Sequence, residues 1–196
     1  MKHNNVLMIF DWDDTLFPTY WIINSGIKLS IMNDANKILV YLHELDMNMS
    51  KLLGDAIMLG KVIIITNANI DWISLSKKYL PKTGYIIDNY IQVISARDIY
   101  HHAYNINEWK KNVFKNNIIK LVDWADQIIS FGDANYELEA LISLHGKIPR
   151  RKYLKNIKLS QTPSFEILTD QLNVVDNSLE DIISVEHHLD LNFRTL

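Results

Sequence analysis

Three acids, Asp11, Asp13 and Asp14, stand together directly after the apolar run Val6-Leu7-Met8-Ile9-Phe10. Carboxylates this close repel one another, and removing them from water is costly enough that a bound cation commonly offsets it. Asp11 is suited to attack phosphorus as a carboxylate nucleophile, dividing one difficult displacement into two easier ones through an aspartyl-phosphate. Asp13, two residues on, is suited to protonate the leaving oxygen and later to take a proton from water. An all-oxygen site with few protein ligands suits magnesium (Mg2+), with Asp11, Asp133 and a backbone carbonyl as donors and water and phosphate completing the octahedron. A metal with a nearby lysine would cancel charge on the transferring phosphoryl group, where most of the catalysis of such reactions lies.

These acids need an element that delivers them to one place. Val6 to Phe10 is of strand length, continuously apolar and ends abruptly in charge, which reads as a buried parallel strand with its C-terminal mouth at Asp11. Trp21 to Leu59 carries apolar residues at helical spacing and fits one or two helices, and Gly60 stands where a helix stop belongs. Lys61 to Thr66 reads as a second buried strand, completing a βαβ unit. Ile70 to Tyr79 reads as a helix ended by Pro81, Gln92 to Ser95 as a short strand, and Asn107 as the N-cap of a helix reaching about Trp124. Gln127 to Phe131 reads as a strand running into Gly132-Asp133, with a helix from Tyr136 to Leu144. Ile157 to Leu159 is one more candidate strand, and helices are expected from Ser164 to about Leu172 and from Ser178 to His188.

The expected fold is therefore α/β, a single doubly wound Rossmann-like domain over 1–196 with a parallel central sheet and helices on both faces. Within it, 18–60 is expected to be a helical insertion or minimal lid and 160–196 a helical C-terminal tail. Parallel strands open on one edge, so Asp11, Asp13 and Asp14, Thr66 and Asn67, and Asp133 are expected to converge there.

Bulk properties narrow the function classes. With 196 residues, 48% hydrophobic and 22% charged, the chain has room for one good-sized core. A net charge of -3 exerts no global pull on nucleic acid or acidic membranes. The absence of cysteine excludes disulfides, thiolate metal sites and a cysteine nucleophile. The apolar start is too short for a signal segment and no stretch approaches membrane-spanning length, so a soluble, cytoplasmic protein with no membrane partner is expected.

The order of these residues resembles the haloacid dehalogenase-like (HAD) superfamily of phosphohydrolases. Its first motif, an apolar strand followed by Asp-x-Asp-x-Thr, matches Asp11-Trp12-Asp13-Asp14-Thr15. Its second, an apolar strand ending in Thr or Ser, matches Ile63-Ile64-Ile65-Thr66, and its fourth matches Gly132-Asp133-Ala134-Asn135-Tyr136-Glu137. The resemblance implies Asp11 as nucleophile, Asp13 as general acid/base, Thr66 as a donor to phosphate and Asp133 as a magnesium ligand, with Glu137 supporting the metal site. Its metal set is thus drawn from Asp11, Asp13, Asp133 and Glu137, and its substrate contacts from Thr66, Asn67 and a lysine. For that lysine, the third motif, Lys110 is preferred over Lys111. Asp13 at the second position is similar to the phosphatase branch.

A narrower similarity, to a group of such proteins in protists and plants, rests on Phe10 to Leu16, Ile65-Thr66-Asn67-Ala68, Ile94-Ser95-Ala96-Arg97, Trp109-Lys110 and Ser130 to Asp133. Two departures, Ala134 where Ser is common and Glu137 in place of Asp, bear on the metal shell. The intervals between motifs are mostly filled by core elements, so no large cap domain is expected, and an uncapped mouth admits bulky substrates.

The partner expected is a phosphorylated substrate, small or macromolecular, and an oligomer is allowed. A catalytically silent binding or regulatory protein on the same scaffold is the alternative. Nucleic-acid end processing, drawing on the basic cluster Arg150, Arg151, Lys152 and Lys155, is less favoured. The pairs His101-His102 and His187-His188 lack ligand spacing and read as surface.

Overall fold

The protein is described by a computed structural model over residues 5–148 and 152–193. Six strands, β1 (Val6–Phe10), β2 (Lys61–Thr66), β3 (Gln92–Ser95), β4 (Gln127–Gly132), β5 (Tyr153–Lys158) and β6 (Leu189–Asn192), form one all-parallel sheet in the order β3-β2-β1-β4-β5-β6. This is the doubly wound arrangement, with the topological switch point between β1 and β4. Every residue of β1 is buried, as a central parallel strand covered on both faces requires. Its side chains alternate between two cores, Val6, Met8 and Phe10 facing one and Leu7 and Ile9 the other. Phe10 stacks on Phe131 of β4 with ring centroids 4.3 Å apart, so the two central strands are locked together beneath the mouth.

The first core is covered by α1 (Thr19–Asn24), α2 (Met32–Asn36), α3 (Leu39–Leu59), α4 (Ile70–Lys77), α5 (Pro81–Tyr90) and α9 (Phe165–Ser184). The second lies under α6 (Ala96–Tyr100), α7 (Ile106–Asn116) and α8 (Asn135–Ile142). Large cap domains are absent among the described residues. The segment 18–60 instead gives two short helices, whose buried Ile22 and Ala35 join the first core, and the long α3, which packs against β2, α5 and α9. Gly60 ends α3 with extended backbone, and a Cβ there would lie 2.5 Å from the Val6 carbonyl oxygen, so glycine lets the chain enter β2 hard against β1.

Several elements differ from the sequence reading. Pro81 does not merely end a helix; it opens α5 from its first turn, where its missing N–H is no loss. The cap comes from the buried Asp46 of α3, whose carboxylate accepts from the N–H groups of Lys82 and Thr83 at 3.0 and 2.8 Å. Asn105 rather than Asn107 precedes α7, which stops at Asn116 before a 3-10 turn at Ile118–Leu121.

The C-terminal tail is one continuous helix followed by a sixth strand. Phe165, Leu168, Leu172, Val175, Leu179 and Ile182 make a single buried stripe along α9, and Asn173, Asn177 and Glu180 lie outside it. α9 returns to the face of α3 although β6 continues the direction set by β4 and β5. That last crossover therefore has the opposite hand to the one through α8.

The basic cluster does not form an exposed patch in the part described. Lys155 is fully buried, donating to Gln127 Oε1 and the Ile182 carbonyl, and burial pushes its pKa down to about 8. Lys152 donates to the carbonyls of Val122, Asp123 and Ala125. Arg150 and Arg151 lie outside the described residues. Both His pairs are exposed. No helix among the described residues is long and apolar enough to cross a membrane.

Candidate functional site

The register of the sheet brings the acids to one edge. Phe10 of β1 pairs with Phe131 of β4, so Asp11 and Asp133 emerge at neighbouring mouths, and the Asp11 N–H donates to the Phe131 carbonyl at 2.9 Å. On the other side Phe10 pairs with Ile64, which carries Thr66 to the same level. Beyond Asp11 the chain turns sharply, the Trp12 carbonyl accepting from the N–H groups of Leu16 and Phe17 at 3.0 and 2.8 Å. Asp14 holds this turn at φ +55°, a left-handed conformation that Asp tolerates better than most residues, and its carboxylate accepts from the Tyr20 N–H at 2.8 Å. Trp12 is wholly buried against Phe17, a packing residue.

Lys110 enters from α7. It is 2% exposed, against 6% for Asp11 and 3% for Glu137. Its Nζ lies 2.6 Å from Asp11 Oδ1, at an angle outside hydrogen-bond geometry, and donates to Glu137 Oε1. Lys111, the neighbour weighed for this place, is only part-buried and makes no ion pair among the described residues.

Glu137 is tied to the lysine and to its own helix. One of its oxygens accepts from Lys110 and the other from the Ala134 N–H at 3.2 Å, so it closes the first turn of α8 and orients the lysine. Gly132 makes room for it, since a Cβ there would fall 2.2 Å from Glu137 Cγ. Gly132→Ala is accordingly expected to displace Glu137 and lose about 1–3 kcal/mol in urea denaturation. An unchanged midpoint would show that Glu137 is not packed there.

Asp13 has partners of its own. Its Oδ1 accepts from Trp72 Nε1 at 2.9 Å and from the Thr19 hydroxyl, and it lines a cavity of about 430 Å³ between α1 and α4. Trp72 is set in turn by Asn69, whose side chain caps α4 by accepting from the Trp72 N–H at 3.0 Å. Neither Trp72 nor Thr19 is among the site residues read from the sequence; no local spacing points to them. Thr66 is fully buried and its Oγ1 accepts from the Ala68 N–H at 2.9 Å, which leaves its proton to donate. The Ser95 hydroxyl at the end of β3 donates to the Ala68 carbonyl at 2.7 Å and so fixes the loop carrying Asn67, whose side-chain oxygen is buried without a partner.

Acids outnumber cations at this mouth. Burial raises the Asp11 pKa well above the usual carboxylate range; Lys110 opposes the rise, and Glu137, Asp133 and Asp13 add to it. Burial, with Glu137 and Asp14 adding, pushes Asp133 up to about 7 against the pull of Lys110. Burial and Asp13 raise Asp14 to about 6, opposed by the Tyr20 N–H. Burial disfavours the Lys110 ammonium, but Asp11 and Glu137 together outweigh it and hold the lysine charged.

Such an excess of hard oxygen donors fits a divalent cation of the magnesium type. No group of three or more acidic or histidine side chains among the described residues could hold an ion. Asp11 and Asp133, on adjacent strands, would be the pair to share one, with a backbone carbonyl, water and substrate to complete the shell, as magnesium commonly accepts.

No family model, curated protein or solved structure matches the chain.

Proposed function

We propose that the chain is a magnesium-dependent phosphomonoester hydrolase of the haloacid dehalogenase-like type, working through an aspartyl-phosphate on Asp11. The observation that carries the reading is the convergence of Asp11, Lys110, Thr66 and Asp133, from four separate segments, on one sheet edge with a surplus of negative charge. A carboxylate with a buried ammonium against one oxygen is held in a fixed orientation, which is what an in-line attack on phosphorus requires.

In the first step the free oxygen of Asp11 attacks phosphorus and the bond to the leaving oxygen breaks. Asp13, its Oδ1 held by Trp72 and Thr19, gives its proton to that oxygen. In the second step water attacks the phosphorus, its proton passes to Asp13, and the Asp11 carboxylate leaves. Thr66 donates to a phosphoryl oxygen, and Lys110 balances the charge that develops there. The bound metal ion would supply further charge neutralisation of the phosphoryl group.

The test is phosphate release from an aryl phosphate, with magnesium and with a chelator. Release that requires the metal is the expected result. A chain that turns over no phosphomonoester with any divalent ion would be a binding protein on this scaffold instead.

A further inference from the structure

Beside Asp13 the mouth of the sheet opens into a cleft with room for a leaving group. About 430 Å³ lies between Asp13 and Asn67 on the sheet side and the segment from Thr19 to Ser30 on the other. This is within the size range of small-molecule sites. Its walls are of two kinds. Trp72, Ile27 and Leu29 give it an apolar side, while Lys28 and Arg97 bring two positive charges from separate segments to the same space.

Neither cation has a carboxylate in ion-pair contact among the described residues. Lys28 is within Coulombic range of Asp34, but that carboxylate is already paired with Lys37 at 2.7 Å. In a chain of net charge -3, two cations without an ion-pair partner among the described residues, set against the single carboxylate of Asp13 in one cavity, are a local excess of positive charge beside an acid-rich mouth. The scissile phosphate, held against Asp11, Thr66 and Lys110, does not account for them.

Resting on the phosphatase reading, we propose that the cavity selects phosphomonoesters whose leaving group carries a second anionic group. The apolar side holds the body of the leaving group, and Lys28 and Arg97 hold its charge. Asp13 at the cavity wall is placed to protonate the ester oxygen as it departs. A neutral leaving group fills the same volume but leaves both cations unused.

The test is calorimetric binding at fixed ionic strength and saturating magnesium, using Asp11→Asn to block turnover. Paired esters share a carbon skeleton and differ by the second anionic group: ethyl phosphate against phosphoglycolate, phenyl phosphate against 4-phosphooxybenzoate, and propyl phosphate against propane-1,3-diol bisphosphate, with the methyl ester of 4-phosphooxybenzoate as the uncharged control for size. At least one acidic ester is expected to bind about tenfold or more tightly than its neutral partner, as a charge-assisted contact gives. Whether the carboxylated or bisphosphorylated ester gains more identifies the anion.

Lys28→Gln combined with Arg97→Gln is expected to collapse that ratio toward one, and both side chains are exposed, so the change leaves the core intact. The ratio is read again from phosphate release by the unsubstituted chain. Binding preference without release removes the hydrolytic reading and leaves the selectivity standing. Equal affinities within every pair, including no binding of any ester, or a preference that survives both substitutions, overturns the proposal.

Discussion

Asp11→Asn is expected to lower aryl-phosphate turnover by at least about 10³-fold while the chain stays folded. An amide of the same shape keeps the neighbours in place but is no nucleophile toward phosphorus. Asp11 is buried among Glu137, Asp133 and Asp13 with one cation for the group, so a neutral side chain at its position removes repulsion from the metal-free protein. Lys110 is not orphaned by the change, because Glu137 still accepts from it. The substitution therefore separates chemistry from folding, which the removal of Lys110 would not, since it would leave two buried acids unpaired. Turnover and thermal melting of the same preparation read both parts. Activity within tenfold of the unsubstituted chain would remove Asp11 from the role of nucleophile.

The second large effect is on stability as a function of pH and magnesium. Asp133 has a pKa of about 7 in the folded protein against an ordinary carboxylate value near 4 when unfolded. Between these values the folded state holds a proton that the unfolded state has released, so stability is full below about pH 4 and falls as pH rises through the window to about 7. Asp14, raised to about 6, and Asp11, also raised, act with the same sign. Metal-free protein is thus expected to melt higher at pH 5 than at pH 8, by about 4–8 °C for a penalty of ~2 kcal/mol.

Magnesium bound as proposed would compete with the proton for the same oxygens, so its stabilisation, RT ln(1 + [L]/Kd), is expected to be larger at pH 8 than at pH 5. Asp133→Asn serves as the control: it is expected to flatten the pH dependence and reduce the magnesium effect together. A magnesium shift equal at the two pH values, or one untouched by Asp133→Asn, would detach the metal from this pair of carboxylates.

The parts of the fold legible in the sequence are those whose signal is local and strong. β1, β2 and β3 are continuous runs with a change of character at each end, and their bounds match. What escaped depended on partners elsewhere. α5 has no cap in its own sequence because Asp46, 36 residues earlier, supplies it. α9 reads as two helices when its outward polar residues are weighed against its stripe, and as one when the stripe alone faces α3. β6 is four residues of an exposed edge, Leu-Asp-Leu-Asn, with one neighbour and little apolar content to announce it.

Residue type and chain order alone determined the parallel sheet and the placing of Asp11, Thr66 and Asp133 on one edge, because parallel strands all open the same way and each ends where its apolar run does. Only the tertiary structure decided how those side chains are used. Glu137 turns to Lys110 across 27 residues and Trp72 to Asp13 across 59, contacts created by helices packing on a sheet and carried by no periodicity in the chain. Burial decided the rest, since desolvation sets which acid holds its proton, and desolvation belongs to the packed molecule and not to the residue.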